Sequence, residues 1–112
     1  MSKLNKLKSL TRDQLRLIKK RSDALEQIEA LKKAGPYPPD PDGQNDNRSN
    51  WAEVALMEFM VVTGTDAETA VRDLLSDLKH WCDRHEVVFD QELEIGMEYY
   101  REETLPDDTE ST

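Results

Sequence analysis

An apolar pattern with helical spacing runs from residue 65 to residue 89 and constrains the fold more than any other feature of this sequence. Only a helix places residues at i, i+3, i+4 and i+7 on one side, because it has 3.6 residues per turn. Thr65 is expected to cap this helix, with Glu68 in a capping box. The stripe on which the flanking segments must pack consists of Ala67, Ala70, Val71, Leu74, Leu75, Leu78, Trp81, Cys82 and His85.

A helix is also predicted near the N-terminus, from residue 12 to residue 34. Thr11 and Gln14 have the spacing of a capping box, which places the start of the helix. Gly35 and Pro36 are stop signals at its other end, because proline cannot continue a helix.

Two more helices complete the prediction. One is capped by Asn50 and ends at Gly64, and it is apolar on nearly every side. We therefore expect it to be buried on two faces or to have one face covered by a partner. Asp90 is expected to cap the last helix. The residues predicted to face inward there are Leu93, Gly96, Met97 and Tyr100.

The segments between and after these helices are polar. Residues 35 to 49 hold four of the five prolines with many Asp and Asn residues, which is typical of a linker. The acids at Asp40, Asp42 and Asp46 do not match a calcium loop, because the register that aligns Gly43 puts Ser49 where a bidentate Glu is needed. The end of the chain from residue 105 is acidic and is expected to be disordered.

The sequence therefore predicts an all-α protein with four parts. These are a basic helical arm (1–34), a Pro/Asp/Asn-rich linker (35–49), an acidic three-helix bundle (50–104) and a disordered acidic tail (105–112). A three-helix unit of this size is marginal by itself. We expect the first helix, or a second copy of the chain in a homodimer, to complete its core.

Charge is divided unequally along the chain. Positions 1 to 34 hold ten Lys or Arg against four acids, a net charge of +6. Because the whole chain carries −9, positions 35 to 112 carry −15. Such an asymmetry is evidence about partners and not about the fold.

The cellular location is predicted from what the sequence contains. A single cysteine, Cys82, allows no internal disulfide and fits a reducing compartment. No apolar run approaches the about 20 residues of a membrane span, and the first ten residues lack a secretory signal. A soluble, cytoplasmic protein without membrane partners is expected.

Several short matches carry a family resemblance across residues 50 to 100. They are the sequences TGTD from Thr63, DLL from Asp73, DL from Asp77, HWCD from His80, FD from Phe89 and the pair Tyr99 and Tyr100. This pattern resembles a family of short uncharacterised proteins carried by proteobacteria, their phages and plasmids. The resemblance implies a small helical protein, and since the family brings no activity, it transfers no catalytic residue.

A line of polar residues on the predicted central helix could carry chemistry. Asp73, Asp77, His80 and Arg84 lie in a line, and the carboxylates and the imidazole among them could bind a metal or move protons. One helix cannot supply convergent ligands, however, so a solvated stripe with Asp77 and Arg84 beside His80 is favoured.

Cys82 and His85 are predicted to have structural roles. Cys82 lies in the apolar stripe and is predicted to be inert, because reactive thiols need an exposed electropositive setting. His85 lies at the end of the stripe and is expected to pack on or cap the helix. We therefore predict no enzyme, and no catalytic, cofactor-binding or metal-binding residue.

Two binding functions remain. The first is a protein-binding module, an inhibitor or accessory factor of a mobile element directed at a nucleic-acid-handling host system. Its predicted contact residues are Glu53, Glu58, Asp73, Asp77, His80 and Asp83. The alternative is nucleic-acid binding by the basic arm. The residues predicted for it are Lys8, Arg12, Arg16, Lys19, Lys20 and Arg21.

Overall fold

The computed structural model describes residues 9–106, and within that range it contains α-helices and no strand. The helices are α1 (Arg12–Ala30), α2 (Asn45–Thr63), α3 (Ala67–Asp83) and α4 (Phe89–Glu103). The prediction of an all-α fold is confirmed. The predictions made for Lys8 and for residues 107–112 of the tail lie outside the described residues.

Two of the predicted helix ends are confirmed in atomic detail. Thr11 and Gln14 form the capping box, with Thr11 N–H donating to Gln14 Oε1 at 2.8 Å and Gln14 N–H donating to Thr11 Oγ1 at 3.1 Å. Gly64 ends α2 in the left-handed region with φ 76°, and its N–H donates to the Met60 carbonyl at 2.7 Å. Glycine suits this position because it has no Cβ to strain there.

The C-terminal end of α1 comes earlier than predicted. The helix ends at Ala30 and not at residue 34. Leu31 N–H bonds to the Ile28 carbonyl at 3.0 Å, and Lys32 N–H bonds to the Glu29 carbonyl at 3.1 Å. Each of these bonds joins residues at i and i+3, so the last turn tightens and the helix stops before the proline is reached.

The start of α2 was predicted at Asn50 and lies earlier, at Asn45. The linker causes this shift, because it supplies acceptors for the first free N–H groups of the helix. Asp40 Oδ1 accepts from Asn45 N–H at 3.2 Å, and Asp42 Oδ1 accepts from Gln44 N–H at 3.1 Å.

The predicted cap of α3 was wrong by one position, and that of α4 was wrong by two. Asp66, and not Thr65, caps α3 by accepting from Thr69 N–H at 3.0 Å. Asp66 lies three residues before Thr69, which is the spacing at which a cap side chain accepts from a backbone amide. The Thr65 hydroxyl bonds to other groups. In α4 the helix begins at Phe89 without a side-chain cap, so Asp90 lies in its first turn.

The core of the described chain is small. Ala24 of α1, Met60 of α2 and Ala70 of α3 form one buried cluster, and Cys82 is buried separately. The half-buried side chains that pack on the cluster are Ile28, Leu56, Met57, Val61 and Ala67. The core therefore lies where α1, α2 and α3 meet.

Helix α1 is held against this core by polar contacts as well as by Ala24. Arg21 Nε pairs with Glu58 Oε1 at 2.7 Å, and Gln27 Oε1 accepts from Ala67 N–H at 3.0 Å. The first contact reaches the C-terminal half of α2 and the second reaches the start of α3. The C-terminal half of α1 thus runs in the same direction as the C-terminal half of α2.

Helices α2, α3 and α4 close a triangle. Short turns join α2 to α3 and α3 to α4, and the last turn of α4 returns to the first turn of α2, where Arg48 Nε pairs with Glu103 Oε2 at 2.9 Å. In an up-down-up bundle the third helix would end beside the end of the first helix, and not beside its start. At about 1.5 Å per residue the helices are about 28, 25 and 22 Å long, which fits a closed triangle.

In this arrangement, several apolar side chains that were predicted to face inward remain exposed. In α4 no described residue is buried, and Leu93, Met97 and Tyr100 are about half exposed. In α3 the stripe is buried at Ala70 and Cys82, whereas Leu78 and Trp81 are exposed. The predicted packed three-helix bundle therefore does not match the structure, because helices that meet at their ends bury little of their sides.

Candidate interaction surface

One side of α2 carries apolar side chains that the described chain leaves exposed. Trp51, Val54 and Val62 are 66%, 59% and 81% exposed. With the exposed Ala55 they occupy positions i, i+3, i+4 and i+11, which share one side of a helix. We call these four residues the α2 outer stripe. Glu58 lies on the same side, among these residues, and there Arg21 of α1 reaches α2.

The basic residues of α1 divide between two sides of the helix. Arg21 faces α2 and is paired with Glu58. The other described residues that were predicted to bind nucleic acid are solvent-exposed and share another side of α1. We call them the basic band, which consists of Arg12, Arg16, Lys19 and Lys20. Two members have acidic neighbours on the same helix, since Arg16 lies 3.8 Å from Asp13 and Lys19 lies 3.2 Å from Asp23.

The structure does not bring the six predicted contact residues of the acidic body together. Glu58 is engaged by α1, and Glu53 is half-buried on α2. Asp73 accepts a hydrogen bond from the Thr65 hydroxyl at 2.6 Å, whereas Asp77 is exposed. These acids are thus distributed over the surface, and several are already engaged within the chain.

The end of α3 holds the remaining two members of that predicted set. Lys79 Nζ donates to Asp83 Oδ1 at 2.6 Å, which lowers the pKa of the Asp83 carboxyl and raises the pKa of Lys79. Arg84 donates to the backbone carbonyl of His80 at 3.0 Å. The predicted association of Arg84 with the His80 side chain is therefore replaced by a contact that caps the helix end.

A groove lies at the corner between α2 and α3. Its volume is about 360 Å³. Asp73 and Asp77 line it from α3, so it presents carboxylates beside backbone and hydroxyl groups. The other lining residues are Phe59, Thr63, Gly64, Thr65 and Ser76. Two of the predicted acidic contact residues thus share a concave surface here.

Arg48 joins three segments of the described chain, and the sequence interpretation overlooked it. Its guanidinium binds both carboxylate oxygens of Asp42, at 2.9 and 2.6 Å, and Asn45 Oδ1 at 2.7 Å, in addition to Glu103. Asn45 also donates to the Glu103 carbonyl at 2.8 Å. These contacts connect the linker, the start of α2 and the end of α4. A signal existed in the sequence, because Arg48 is the one basic residue between positions 33 and 72.

The pairing with Arg48 predicts an unusually acidic carboxyl group. The Arg48 guanidinium, helped by Gln44 N–H, lowers the pKa of Asp42 from 3.8 to about 2. Because the folded-state pKa is depressed, the stabilisation from this pair is complete above pH 3.8 and is lost as the pH falls through about 2. We expect a carboxyl NMR titration of Asp42 to show a midpoint near the lower value.

Arg48→Met provides the control for this titration. Without the guanidinium, the midpoint of Asp42 is expected to move up towards its ordinary value, and the midpoint of Asp83 is expected to stay unchanged because its partner is Lys79. A wild-type Asp42 midpoint close to 3.8 would show that the pair does not persist in solution.

Cys82 and His85 occupy structural positions. Cys82 is buried, as its place in the apolar stripe predicted. His85 stacks on Trp81 with ring centroids 3.9 Å apart, and its Nδ1 lies 2.7 Å from the Trp81 carbonyl oxygen. His85 therefore packs on the last turn of α3 and closes it, which is the role predicted for it.

Residues 9–106 show neither a metal cluster nor a membrane-spanning helix. No group of three or more His, Cys, Asp or Glu side chains in this range is arranged to hold a metal ion. No helix in the same range combines the length and the apolar character that crossing a bilayer requires.

Among known proteins, the chain matches no model of a protein family, no curated protein and no solved structure.

Proposed function

We propose that this chain is a non-enzymatic binding module that acts through protein–protein contacts. The α2 outer stripe is the observation that carries the proposal. A helix in water seldom exposes a tryptophan and two valines along one side unless another surface covers them. Trp51 is the expected centre of the contact, because tryptophan is enriched among the few residues that supply most of the binding energy at interfaces.

The partner is proposed to be a host protein that handles nucleic acid. Exposed acids, including Asp77, Glu94 and Glu98, give the surface a negative potential that resembles the charge of a phosphate backbone. Such a surface competes with nucleic acid for the basic groove of the partner protein. The resemblance to proteins of phages and plasmids supports a role as an inhibitor or accessory factor of a mobile element, acting in the cytoplasm.

Affinity capture with matched variants tests this function. The full chain, Trp51→Ala and Tyr99→Ala are each used to capture proteins from host lysate at low and high salt. Tyr99 is the control, because it is 60% exposed on α4, outside the α2 outer stripe. We expect a stoichiometric partner with the wild type and with Tyr99→Ala, and at least a tenfold loss with Trp51→Ala, since a truncated hot spot costs about 2 kcal/mol or more.

The nature of the partner is tested in the same experiment. If the partner binds this chain through its nucleic-acid groove, added DNA is expected to compete for that groove and release the partner. Equal capture by wild type and Trp51→Ala would refute the role of the α2 outer stripe. If added DNA does not reduce capture, the partner does not bind this chain through its nucleic-acid groove.

Nucleic-acid binding is the second candidate function. The specific observation in its favour is the exposed basic band of α1. A gel shift compares the wild type with a variant carrying Arg12→Glu and Lys19→Glu. If the band follows a phosphate backbone, the variant loses affinity and the salt dependence of binding becomes shallower. A wild-type chain that shifts no DNA or RNA at low salt excludes this candidate.

A further inference from the structure

Helix α1 has an apolar stripe that its own chain leaves half exposed. Ala24 and Ile28 face the core, whereas Leu15, Ile18 and Leu25 lie along the adjacent side of the helix and are 46%, 47% and 44% exposed. Docking of α1 on α2 and α3 therefore leaves about half of this stripe uncovered. An occupant of matching shape and charge is needed to cover it.

Helix α4 has a second apolar stripe that the described chain leaves half exposed. Leu93, Met97 and Tyr100 are 48%, 45% and 48% exposed along one side, and α4 buries no described residue. Phe89 begins the same side of the helix, so this stripe is about 17 Å long, while the free stripe of α1 is about 15 Å long. The two stripes thus match in length.

The two helices that carry these stripes have opposite charges. Positions 12 to 20 of α1 contain four basic residues and one acid. Helix α4 contains six acids and one basic residue, Arg101. Complementary potentials favour encounter and fix the relative orientation of two surfaces.

We propose that a second copy of the chain covers these stripes, with the apolar stripe of α1 from each copy lying on the stripe of α4 of the other. Such a contact is reciprocal, which is the symmetry of the commonest homodimers. It covers both stripes in both copies at once. The second copy is also the partner that is present whenever the chain is made. Because the core is small, burial of these stripes by that copy would stabilise the chain.

The available area suits a dimer of ordinary size. A half-exposed large apolar side chain offers on the order of 100 Å². The six stripe residues therefore contribute roughly 600 Å² per copy and roughly 1,200 Å² per pair, which reaches the lower bound of stable specific interfaces before the stems of flanking charged residues are added. The dimer contact includes no residue of the α2 outer stripe, so the dimer and the contact proposed for that stripe can fail separately.

Sedimentation of the full chain over a range of concentrations tests the dimer. We expect the wild type to have twice the mass of one chain and to dissociate on dilution. Two variants reverse the charges on opposite sides of the contact. One carries Arg12→Glu and Lys19→Glu in α1, and the other carries Glu94→Lys and Glu98→Lys in α4. Each variant alone is expected to dissociate at a concentration at least tenfold higher than the wild type.

Mixing the two variants gives the decisive result. In the mixed pair, the acidic α1 of one chain meets the basic α4 of the other, and the second contact is the wild-type one, so the mixture is expected to dimerise with the wild-type affinity. Circular dichroism of each variant checks that its helices are intact. A monomeric wild type, a mixture that stays monomeric, or an α1 that docks on α4 of its own chain without concentration dependence overturns the proposal.

Discussion

Met60→Ala is expected to cost about 2–5 kcal/mol of the free energy of unfolding, the range observed when a buried methionine is cut back to alanine. Met60 is 4% exposed and is the largest member of the cluster that it forms with Ala24 and Ala70. The two alanines have little volume with which to fill the space that the lost atoms leave. Since small domains are stable by only about 5–15 kcal/mol, this single change should bring the chain close to unfolding.

Chemical denaturation at one fixed protein concentration measures this effect, because any self-association makes stability depend on concentration. Val62→Ala is the matched control, since Val62 lies on the same helix and is 81% exposed. A substitution at such a surface position is expected to change stability by less than about 0.5 kcal/mol. If both variants lose the same amount, the cluster around Met60 is not the core of the fold.

The parts of this fold that could be predicted are those fixed by neighbours in sequence. The Thr11 and Gln14 capping box and the left-handed Gly64 depend on atoms close by in the chain, and both appear as predicted. The periodic stripe of α3 predicted its helical state, and the buried Cys82 followed from its place in that stripe. The start of α2 differed because side chains of another segment took part, namely the linker aspartates.

The path of α4 could not be predicted from the pattern. Its stripe showed which residues share a side, but the position of the helix depends on Arg48 and Asn45 meeting Glu103, which is distant in the sequence. No periodicity encodes such a pairing. The intramolecular partners of two predicted contact residues are equally invisible to the pattern, since Glu58 bonds to Arg21 and Asp73 to Thr65.

Helix α1 shares its core with the acidic helices, although charge sets it apart from them. Ala24 contributes to the same buried cluster as Met60 and Ala70. Gln27 also bonds to the first amide of α3. These contacts predict that α1, α2 and α3 unfold together, and that removing residues 1 to 34 would expose the core.

Ala24→Asp tests this coupling. Ala24 is 4% exposed, so the variant places a carboxylate without a partner in the buried cluster. The change is expected to destabilise the chain by about 3–5 kcal/mol. Ala24→Asn adds a side chain of the same shape without the charge, so its loss should be smaller. Ser22→Asp adds the same charge at an exposed position of α1. This surface control should change stability by less than about 0.5 kcal/mol.

Amide hydrogen exchange shows which helices respond to Ala24→Asp. If α1, α2 and α3 share one core, protection falls in all three helices together, because the charge disrupts the cluster that joins them. If the arm were an independent unit, protection would fall in α1 alone while the amides around Met60 and Ala70 kept their wild-type rates. The joint response is expected, since Met60 would lose the Ala24 contact and face water as soon as α1 moved away.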